Sequence, residues 1–402
     1  MLVVKKFGGT SVANKERIFN VARRCIDEYK KGNDVVVVLS AMGDTTDDLI
    51  EMAKDINPNP PKREMDMLMV TGEQVSVSLM VMAMASLGVP AVSLNAFQVQ
   101  MHTTKVYGNA RLKKIDTERI QTELDNKKIV VVTGFQGVNK YDDATTLGRG
   151  GSDTTAVALA AALKADICEI YTDVEGVYTA DPRVVKNARK LKEISYDEML
   201  NMATLGAQVL HNRSVEMAKK YGVQLVVRSS LNEAEGTVVK EVAKVEKRVI
   251  SGVAADKTPS RISLIGLQDT PGIAFKIFNV LAKKNISVDF ILQSVGRDGT
   301  KDISFTVDEN NLQSTLDALN EYKETFTAER IEHEENVAKV SAVGSGMMTD
   351  PNITVKIFEA LFNEGINVKM ISTSEIRITV LIDEKDVDKA TKAIHDAFEL
   401  ED

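Results

Sequence analysis

Short runs of apolar residues alternate with longer helical patterns along the first half of the chain. The apolar runs predict buried strands over residues 2–4, 35–39, 89–94, 129–133, 166–171 and 223–227. Helices are predicted from about 14 to 31, from 47 onward, and over 63–87, 156–163, 193–211 and 214–221. Apolar strands separated by helices are typical of a largely parallel sheet that is covered on both faces. We therefore predict an α/β domain over residues 1–240.

The second half of the chain contains an internal repeat. The stretches 271–281 and 286–291 recur 80 residues later. Further strands are predicted at 261–267, 303–307, 338–343 and 376–382, which makes each copy a ferredoxin-like βαββαβ unit. We place the two units at residues 255–332 and 333–402. Repeated units serve as dimerisation scaffolds as well as ligand sites, and the pattern alone leaves both open.

The bulk composition narrows the classes of function. The chain has 402 residues, 44% of them apolar and 27% charged, with a net charge of −8. That charge argues against a nucleic-acid partner, and no apolar run has the length of a membrane span. We expect no signal peptide and a cytoplasmic location. The two cysteines and four histidines lack ligand spacing, so we expect no metal site formed by the protein itself.

The first strand ends in two adjacent glycines, Gly8 and Gly9, before the first helix. Such glycines let backbone N–H groups approach a bulky anion, and the helix N-terminus adds a partial positive charge. Lys6 precedes the turn and can place an ammonium on the same anion. The pattern favours a phosphate cradle in which Lys6 neutralises the transferring group, although glycine turns without a ligand are also common.

Two polar features follow along the chain. The strand at 35–39 ends in small and hydroxyl residues that include Ser40, Thr45 and Thr46, and ligands of open α/β sheets bind at such ends. Thr45 or Thr46 fits a helix N-cap equally well. Glu73 follows a glycine that interrupts the helix over 63–87. A carboxylate in that apolar helix needs a partner, such as a substrate ammonium or a lysine.

The strongest local signal is the glycine-rich loop within residues 146–155. Three glycines surround Arg149 and open onto an alanine-rich helix, which Ser152 and Asp153 are expected to cap. The guanidinium fork of Arg149 suits a carboxylate held by two parallel hydrogen bonds. A plain helix cap with an exposed arginine would not explain the glycines around it.

The strand at 166–171 leads into a further polar segment. Asp173 lies just beyond the end of this strand, where a carboxylate can orient Lys6 or a water on Mg²⁺. Arg183 and Lys186 are candidates for nucleotide phosphates. These residues predict the nucleotide side of a site.

Together these segments resemble the aspartate kinases of the amino-acid kinase family. The matching stretches are KFGGTS (6–11), SAMG (40–43), TGE (71–73), GRGGSD (148–153), YTD (171–173) and ADPR (180–183). Each is weak alone, but they occur in order and without departures from the family pattern. The resemblance implies a carbamate-kinase-like αβα sandwich. It also implies phosphorylation of the β-carboxylate of L-aspartate by ATP with Mg²⁺, the first step toward lysine, threonine and methionine.

The resemblance assigns roles to individual residues. Those implied to hold ATP are Lys6, Phe7, Gly8, Gly9, Thr172, Asp173, Tyr178 and Arg183, with Lys6 and Asp173 as catalytic residues. Those implied to hold aspartate are Ser40, Thr46, Glu73, Arg149, Gly150, Gly151 and Ser152, with Glu73 facing the ammonium and Arg149 a carboxylate. A carboxylate is already a nucleophile at pH 7, so the reaction needs positive charge and positioning rather than a general base.

The repeated units resemble ACT domains, the amino-acid sensors of biosynthetic enzymes. This implies feedback inhibition by lysine, with threonine as a second effector. The effector-binding candidates are Asp269, Gly272, Ala274, Gln293, Asn367 and Val368. We expect a homodimer or larger homo-oligomer through these units. Two alternatives stay open: a catalytically silent amino-acid sensor, and a kinase of the same fold acting on N-acetylglutamate or glutamate.

Overall fold

The computed structural model describes residues 1–206, 209–241, 249–294, 299–347 and 350–401. These residues form two compact units. The first holds residues 1–178, 190–204 and 209–241, and the second holds 179–189, 205–206 and the described residues from 249 onward. The boundary predicted near residue 240 did not anticipate that the short segments 179–189 and 205–206 belong to the second unit.

A parallel sheet forms the centre of the first unit, as the apolar runs predicted. The described strands of this unit are β1 (Leu2–Phe7), β2 (Asp34–Leu39), β3 (Ala91–Leu94), β4 (His102–Thr103), β5 (Leu112–Lys114), β6 (Ile129–Thr133), β7 (Gln136–Val138), β8 (Ala144–Thr146), β9 (Ile167–Thr172), β10 (Glu193–Ser195), β11 (Leu225–Ser229) and β12 (Thr237–Lys240). The main sheet has the order β10-β12-β11-β9-β1-β2-β6-β3, and only its β11–β12 pair is antiparallel. A small second sheet has the order β5-β4-β7-β8.

Helices connect these strands. The described helices of the first unit are α1 (Lys15–Lys30), α2 (Thr45–Ile56), α3 (Lys62–Ser86), α4 (Glu118–Asp125), α5 (Gly151–Leu163), α6 (Tyr196–Thr204) and α7 (Asn212–Tyr221). Helix α1 begins where the Asn14 side chain accepts a hydrogen bond from the Arg17 N–H, a regular N-cap. Its buried face, which includes Ile18, Val21 and Cys25, packs in one core with β1 and β2.

The central strand β1 sets the position of the loops around it. Val3 and Phe7 are buried, and β1 pairs with β2 on one side and with β9 on the other. The register places Phe7 opposite both Leu39 and Tyr171, and Leu39 opposite Thr133. Because these strands are parallel, β1, β2, β6 and β9 all end at one edge of the sheet. The loops that follow them therefore start side by side.

Helix α3 is continuous, which corrects the predicted interruption at Gly72. A Cβ atom at this position would lie 2.8 Å from the Cβ of Ala41, so glycine is required by the close approach of the loop after β2. By length and composition α3 is the one described helix that could span a membrane. However, Val77, Met80 and Met84 are buried in the core of the unit, and core helices of globular proteins can have the same length and composition.

The segment predicted as one helix over 193–211 is divided. Residues Glu193–Ser195 form β10 and pair in parallel with β12, because hydrogen bonding to a sheet edge overrides a weak helical pattern. Helix α6 ends at Thr204, and α7 begins at Asn212. The part of the prediction that falls on residues 207–208 lies outside the described residues.

The second unit contains two antiparallel sheets of four strands each. Its described strands are β13 (Gly252–Asp256), β14 (Pro259–Gln268), β15 (Asp289–Gln293), β16 (Thr300–Asp308), β17 (Arg330–Glu334), β18 (Val337–Val343), β19 (Met370–Ser374) and β20 (Arg377–Asp383). Its described helices are α8 (Ile273–Lys283), α9 (Leu312–Glu321), α10 (Lys323–Phe326), α11 (Asn352–Asn363) and α12 (Val387–Ala397). The sheets have the orders β15-β16-β14-β17 and β13-β18-β20-β19, as expected for two ferredoxin-like units.

The second sheet takes one strand from upstream of the first sheet. In the first sheet β17 follows the helices and pairs with β14. The corresponding place beside β18 is occupied by β13, which precedes β14 and therefore every strand of the first sheet. Ile250 and Val253 accordingly pack in the core of the second sheet. We predicted two contiguous βαββαβ copies, and that prediction did not include a strand from upstream in the second sheet.

Candidate active site

Lys6 lies near the end of β1 and is held by a carboxylate from α5. Its ammonium lies 2.7 Å from a carboxylate oxygen of Asp153, and each side chain is 12% exposed. We expected Asp153 and Ser152 to cap α5, but the N-cap is Gly150 and no side chain caps this helix. Asp153 instead fixes the direction of the Lys6 side chain. The pair is shielded from most solvent, where a charge interaction is stronger than at the surface.

The Gly8–Gly9 turn lies tightly against the loop after β2. A Cβ atom on Gly9 would lie 2.8 Å from the carbonyl oxygen of Ala41, and the Gly43 N–H donates to the Gly9 carbonyl at 3.0 Å. A Cβ atom on Gly8 would lie 3.5 Å from the Lys6 ammonium. The buried hydroxyl of Ser11, in the next turn, has no hydrogen-bond partner within the described ranges. Backbone, hydroxyl and ammonium groups thus meet where a phosphate would fit.

Glu73 is a buried carboxylate at the same edge of the sheet. It is 2% exposed and accepts hydrogen bonds from the Ala41 N–H at 3.2 Å and from the Gln136 amide at 3.3 Å. Burial raises the pKa of Glu73 to about 7. No lysine or arginine of the described ranges forms an ion pair with it. The site therefore offers a negative charge to a cation from outside the chain.

The loop before α5 exposes the side chain of Arg149, and its predicted role in holding a carboxylate stays a prediction. Gly150 has a φ of 66°, and a Cβ atom there would lie 2.2 Å from the ring of His211. The Ser152 hydroxyl lies 3.0 Å from the Ser40 hydroxyl, which joins the start of α5 to the loop after β2. The structure thus brings Ser40, Ser152 and the Arg149 loop to the edge that holds Lys6.

Two other substrate candidates lie at helix starts. Thr46 is half-buried in the first turn of α2, whose N-cap is Asp44. The N-cap role considered for Thr45 or Thr46 is therefore wrong, since both residues lie inside the helix. Gly151 is the first residue of α5, and a Cβ atom there would lie 2.8 Å from the ring of Phe135.

The nucleotide candidates divide between the two units. Thr172 ends β9, beside the end of β1, and its hydroxyl donates to the exposed Asp173 at 3.0 Å. Tyr178 is half-buried, and its hydroxyl lies 3.5 Å from a carboxylate oxygen of Glu175. Arg183 belongs to the second unit, where its guanidinium donates to Asp181 at 2.7 Å. The structure therefore groups Thr172 and Asp173 with Lys6, and their nucleotide roles stay predictions.

A buried charge cluster beneath this edge escaped the sequence analysis. Lys5 is 2% exposed and donates to Glu169 at 2.5 Å, and Arg228 donates to the other oxygen of Glu169 at 2.9 Å. Burial alone would lower the pKa of Lys5, but the charges of Tyr171 and Glu169 outweigh it and raise that pKa. The ring of Tyr171 stacks on that of Phe7, with centroids 4.4 Å apart. The sequence feature that could have indicated this cluster is Lys5 itself, a charged residue within the mostly apolar strand β1.

The effector candidates lie near both sheets of the second unit. Near the first sheet, Asp269 and Gly272 lie between β14 and α8, Ala274 lies in α8, and Gln293 ends β15. Near the second sheet, Asn367 and Val368 precede β19. Gly272 is the N-cap of α8 with a φ of 90°, and Asp269 pairs with Lys301 at 2.7 Å. No hydrogen bond or ion pair among the described residues joins the two groups. Their common role therefore stays a prediction.

The donor groups near Lys6 fit Mg²⁺ only as a partner of phosphate. Nowhere in the described ranges do three histidine, cysteine or carboxylate side chains lie together as metal ligands. Near Lys6 the carboxylates are Asp153, which is paired, and Asp173, which is exposed. Such a set suits an ion that keeps several waters and binds mainly to phosphate oxygens.

Comparison with known proteins agrees with this architecture. The family model described as amino acid kinase family matches residues 1–229, and two ACT domain models match 261–324 and 340–398. The aspartokinase of Bacillus sp. (strain MGA3) is 52% identical over 400 residues, which are 99% of this chain and 97% of that protein. The aspartokinase of Corynebacterium glutamicum is 49% identical over 99% of this chain and 96% of its own.

Solved structures show the same likeness. The crystal structure of E. coli aspartokinase III in complex with aspartate and ADP (R-state) has a TM-score of 0.86 and 26% identity, and the match covers 99% of this chain and 100% of that one. The complex of the same protein with lysine and aspartate (T-state) has a TM-score of 0.77, 27% identity and 99% coverage of both chains.

Fold and site together define a kinase of small acids joined to a pair of ACT domains. The resemblance found in the sequence is confirmed by the matching family models and relatives. The chain belongs to the amino acid kinase family, and within it to the aspartokinases.

Proposed function

We propose that this chain transfers the γ-phosphoryl group of ATP to the β-carboxylate of L-aspartate, giving ADP and 4-phospho-L-aspartate. The observation that carries the proposal is Glu73, a buried carboxylate that no cation of the described residues pairs with, at the edge that holds Lys6. The free α-ammonium of an amino acid can form an ion pair with Glu73, whereas an N-acetylated amine carries no charge and cannot. E. coli aspartokinase III, which is 26% identical, was crystallised with aspartate and ADP.

The proposed reaction needs charge and alignment rather than proton transfer. A carboxylate oxygen of aspartate attacks the γ-phosphorus, and the bond to the β,γ-bridging oxygen breaks with its electron pair leaving on ADP. Lys6 and the N–H groups of the Gly8–Gly9 turn stabilise the charge on the phosphoryl oxygens. Asp173 would orient the waters of the Mg²⁺ that ATP carries, and this ion would supply positive charge to the phosphate groups. Aspartate is ionised at pH 7, so no base is required.

Hydroxylamine provides the direct test, because it traps an acyl phosphate as a hydroxamate. Wild-type protein with Mg-ATP and L-aspartate should give aspartyl hydroxamate. The Lys6→Ala variant should lose about 100- to 1,000-fold in kcat, as expected when a transition-state charge contact is removed. The exposed Lys15, on α1, gives a matched control, and Lys15→Ala should keep the wild-type rate.

Each negative outcome has a distinct meaning. A wild-type protein that yields no aspartate-dependent product would contradict the proposal. Lysine binding without turnover of any acid would indicate the silent sensor, and a hydroxamate formed from glutamate in preference to aspartate would indicate the related kinase. Undiminished turnover by Lys6→Ala would remove the role given to that ammonium.

We further propose that lysine inhibits the enzyme, with threonine as a second effector, by binding to the ACT domains. The proposal is supported by the two ACT sheets and by the complex of E. coli aspartokinase III with lysine and aspartate. Initial rates against lysine and threonine, alone and combined, test it. Gln293→Ala should raise the lysine concentration for half-inhibition and leave the uninhibited rate unchanged. Thr373, 80 residues later in the repeat, supplies the control, since Thr373→Ala should leave inhibition unaltered.

A homo-oligomer in the cytoplasm completes the proposal. Strands β15 and β19 form edges of their sheets and expose Ile291 and Ile371, which supports assembly through the ACT domains. Both cysteines, Cys25 and Cys168, are buried free thiols, which suits a reducing compartment. Light scattering after gel filtration should give at least a dimer, and Ile291→Lys should shift the mass toward the monomer.

A further inference from the structure

Few side-chain contacts hold the loop of residues 148–150, which carries Arg149. Arg149 is exposed, and no hydrogen bond or ion pair within the described ranges holds its guanidinium. Gly148 and Gly150, on either side, have φ values of 79° and 66°, a region that costs glycine little. The direction of the guanidinium therefore depends on how firmly the backbone before and after the loop is held.

Asp66 holds the backbone on the near side of this loop. Its side chain is fully buried on α3. One carboxylate oxygen accepts from the N–H groups of Thr146 and Gly108, both at 2.9 Å, and the other accepts from the Thr146 hydroxyl at 2.8 Å and from the Gly108 N–H at 3.1 Å. Thr146 lies three residues before Arg149. No cation pairs with Asp66 in the part of the chain that the structure describes, so backbone and hydroxyl donors alone satisfy it.

Arg213 holds the same segment from the opposite side. Its guanidinium, on α7, donates to the carbonyl of Leu147 at 2.8 Å and to that of Ala110 at 2.8 Å. The Ala110 N–H in turn donates to the Thr146 carbonyl at 2.8 Å. The residues just before Arg149 are thus fixed between α3 and α7 by one buried acid and one arginine.

Helix α3 also carries Glu73, seven residues after Asp66. Seven residues are close to two helical turns, so both side chains lie on one face of α3, separated by a rise of about 10 Å. We propose that Asp66 is a positioning residue that sets the distance between Glu73 and Arg149, and thereby selects the length of the amino acid that bridges them. This inference rests on the proposed function, in which Glu73 holds the ammonium and Arg149 a carboxylate.

The test is substrate choice by Asp66→Asn. The asparagine keeps the size of the side chain, but its NH₂ group can no longer accept from the Thr146 and Gly108 N–H groups. The KM for aspartate should rise about 10- to 100-fold, as for a displaced contact group. The ratio of kcat/KM for aspartate to that for glutamate should fall, and the KM for Mg-ATP should stay at its wild-type value. Glu123 on α4, another buried acid, provides a control, since Glu123→Gln should leave all three unchanged.

A panel of acids separates this inference from the proposed function. If the wild type prefers a different acid, the proposed function fails, yet Asp66→Asn should still alter the preference for chain length. An unchanged preference, or an equal rise in the KM for both substrates, would overturn the inference. Should Asp66→Asn not fold, Arg213→Met releases the loop from its other side and must give the same change in preference. The conservative variant Thr146→Ser keeps the hydroxyl donor to Asp66 and should keep the wild-type selectivity.

Discussion

The surrounding protein stabilises the negative charge of Glu73 only weakly. Burial raises its pKa from an ordinary 4.5 to about 7, because the hydrogen bonds from Gln136 and Ala41 offset only part of the cost of desolvation. An ammonium ligand favours the charged form. Binding of aspartate should therefore take up no proton above pH 7 and should release one below it.

We predict a pH dependence that belongs to this single residue. Below pH 7 the charged fraction of Glu73 falls about tenfold per pH unit, and kcat/KM for aspartate should fall with it. Glu73→Gln should raise the KM for aspartate about 10- to 100-fold, as expected for a lost charged hydrogen bond, and should flatten the profile. Initial rates from about pH 6 to about pH 8 measure both effects. A wild-type KM for aspartate in Glu73→Gln would show that Glu73 does not bind the substrate ammonium.

The same substitution should stabilise the protein in a pH-dependent way. The folded pKa of about 7 lies above the ordinary 4.5, so between these values the folded state binds more protons than the unfolded state. Glu73 therefore lowers the free energy of unfolding as pH rises through that window. The melting temperature of Glu73→Gln, relative to wild type, should increase from pH 4.5 to 7 and then level off. The exposed Glu16→Gln should show no such trend, and parallel curves for Glu73→Gln would contradict the assignment.

At this scale the sequence showed which residues bear charge but not how they pair. Lys6, Glu73 and Arg149 stood out because each breaks a local apolar or glycine-rich pattern. The partner of Lys6 did not, since Asp153 in the first turn of a helix is also a common cap and the two lie far apart in sequence. Asp66 was equally hidden, because its partners are backbone N–H groups of other segments.

At the scale of elements, helix α3 can approach the loop after β2 closely because residue 72 is a glycine and has no side chain. Alanine is the better helix former, by about 1 kcal/mol. We nevertheless predict that Gly72→Ala destabilises the protein by about 1–3 kcal/mol, because the new Cβ atom would lie 2.8 Å from that of Ala41. Urea unfolding measures the change, and the KM for aspartate should rise as the loop beside Glu73 moves.

The double variant Gly72→Ala with Ala41→Gly isolates the cause. Removing the Ala41 methyl group makes room for the new one, so stability should return to near that of Ala41→Gly alone. If the two single variants instead have additive effects on the free energy of unfolding, the loss of stability in Gly72→Ala would come from the helix itself rather than from this contact.

Elements with a strong pattern were predictable and those defined by a distant partner were not. The strand Ile129–Thr133 agrees with its apolar run residue for residue. By contrast, Glu193–Ser195 reads as the start of a helix and becomes a strand only because β12 lies beside it. The repeat predicted two sheets of the second unit, but it could not reveal β13, which has no counterpart in the repeated pattern.

At the scale of the whole chain, β13 places parts of the second ACT sheet on both sides of the first ACT domain in sequence. The second sheet is complete only with a strand that enters before the first sheet begins, so the first ACT domain lies within the sequence of the second. If the two ACT domains were contiguous in sequence, one could be deleted and leave the other sheet complete. Here the second sheet depends on residues on both sides of the first, because Val253 pairs with Ala342 and packs in the second core.

This arrangement predicts a crossed pattern of hydrogen exchange. Val253 is 2% exposed, so Val253→Ala should cost about 2 kcal/mol by removing buried methyl groups. Amide exchange should accelerate in β18 and β20 of the second sheet and stay unchanged in β14 and β16 of the first, although Val253 is closer in sequence to β14. Val307→Ala in β16, which is 3% exposed in the first core, is the matched control and should give the opposite result. Acceleration in β14 and β16 after Val253→Ala would mean that the strand stabilises its neighbour in sequence, and that the second sheet does not depend on it.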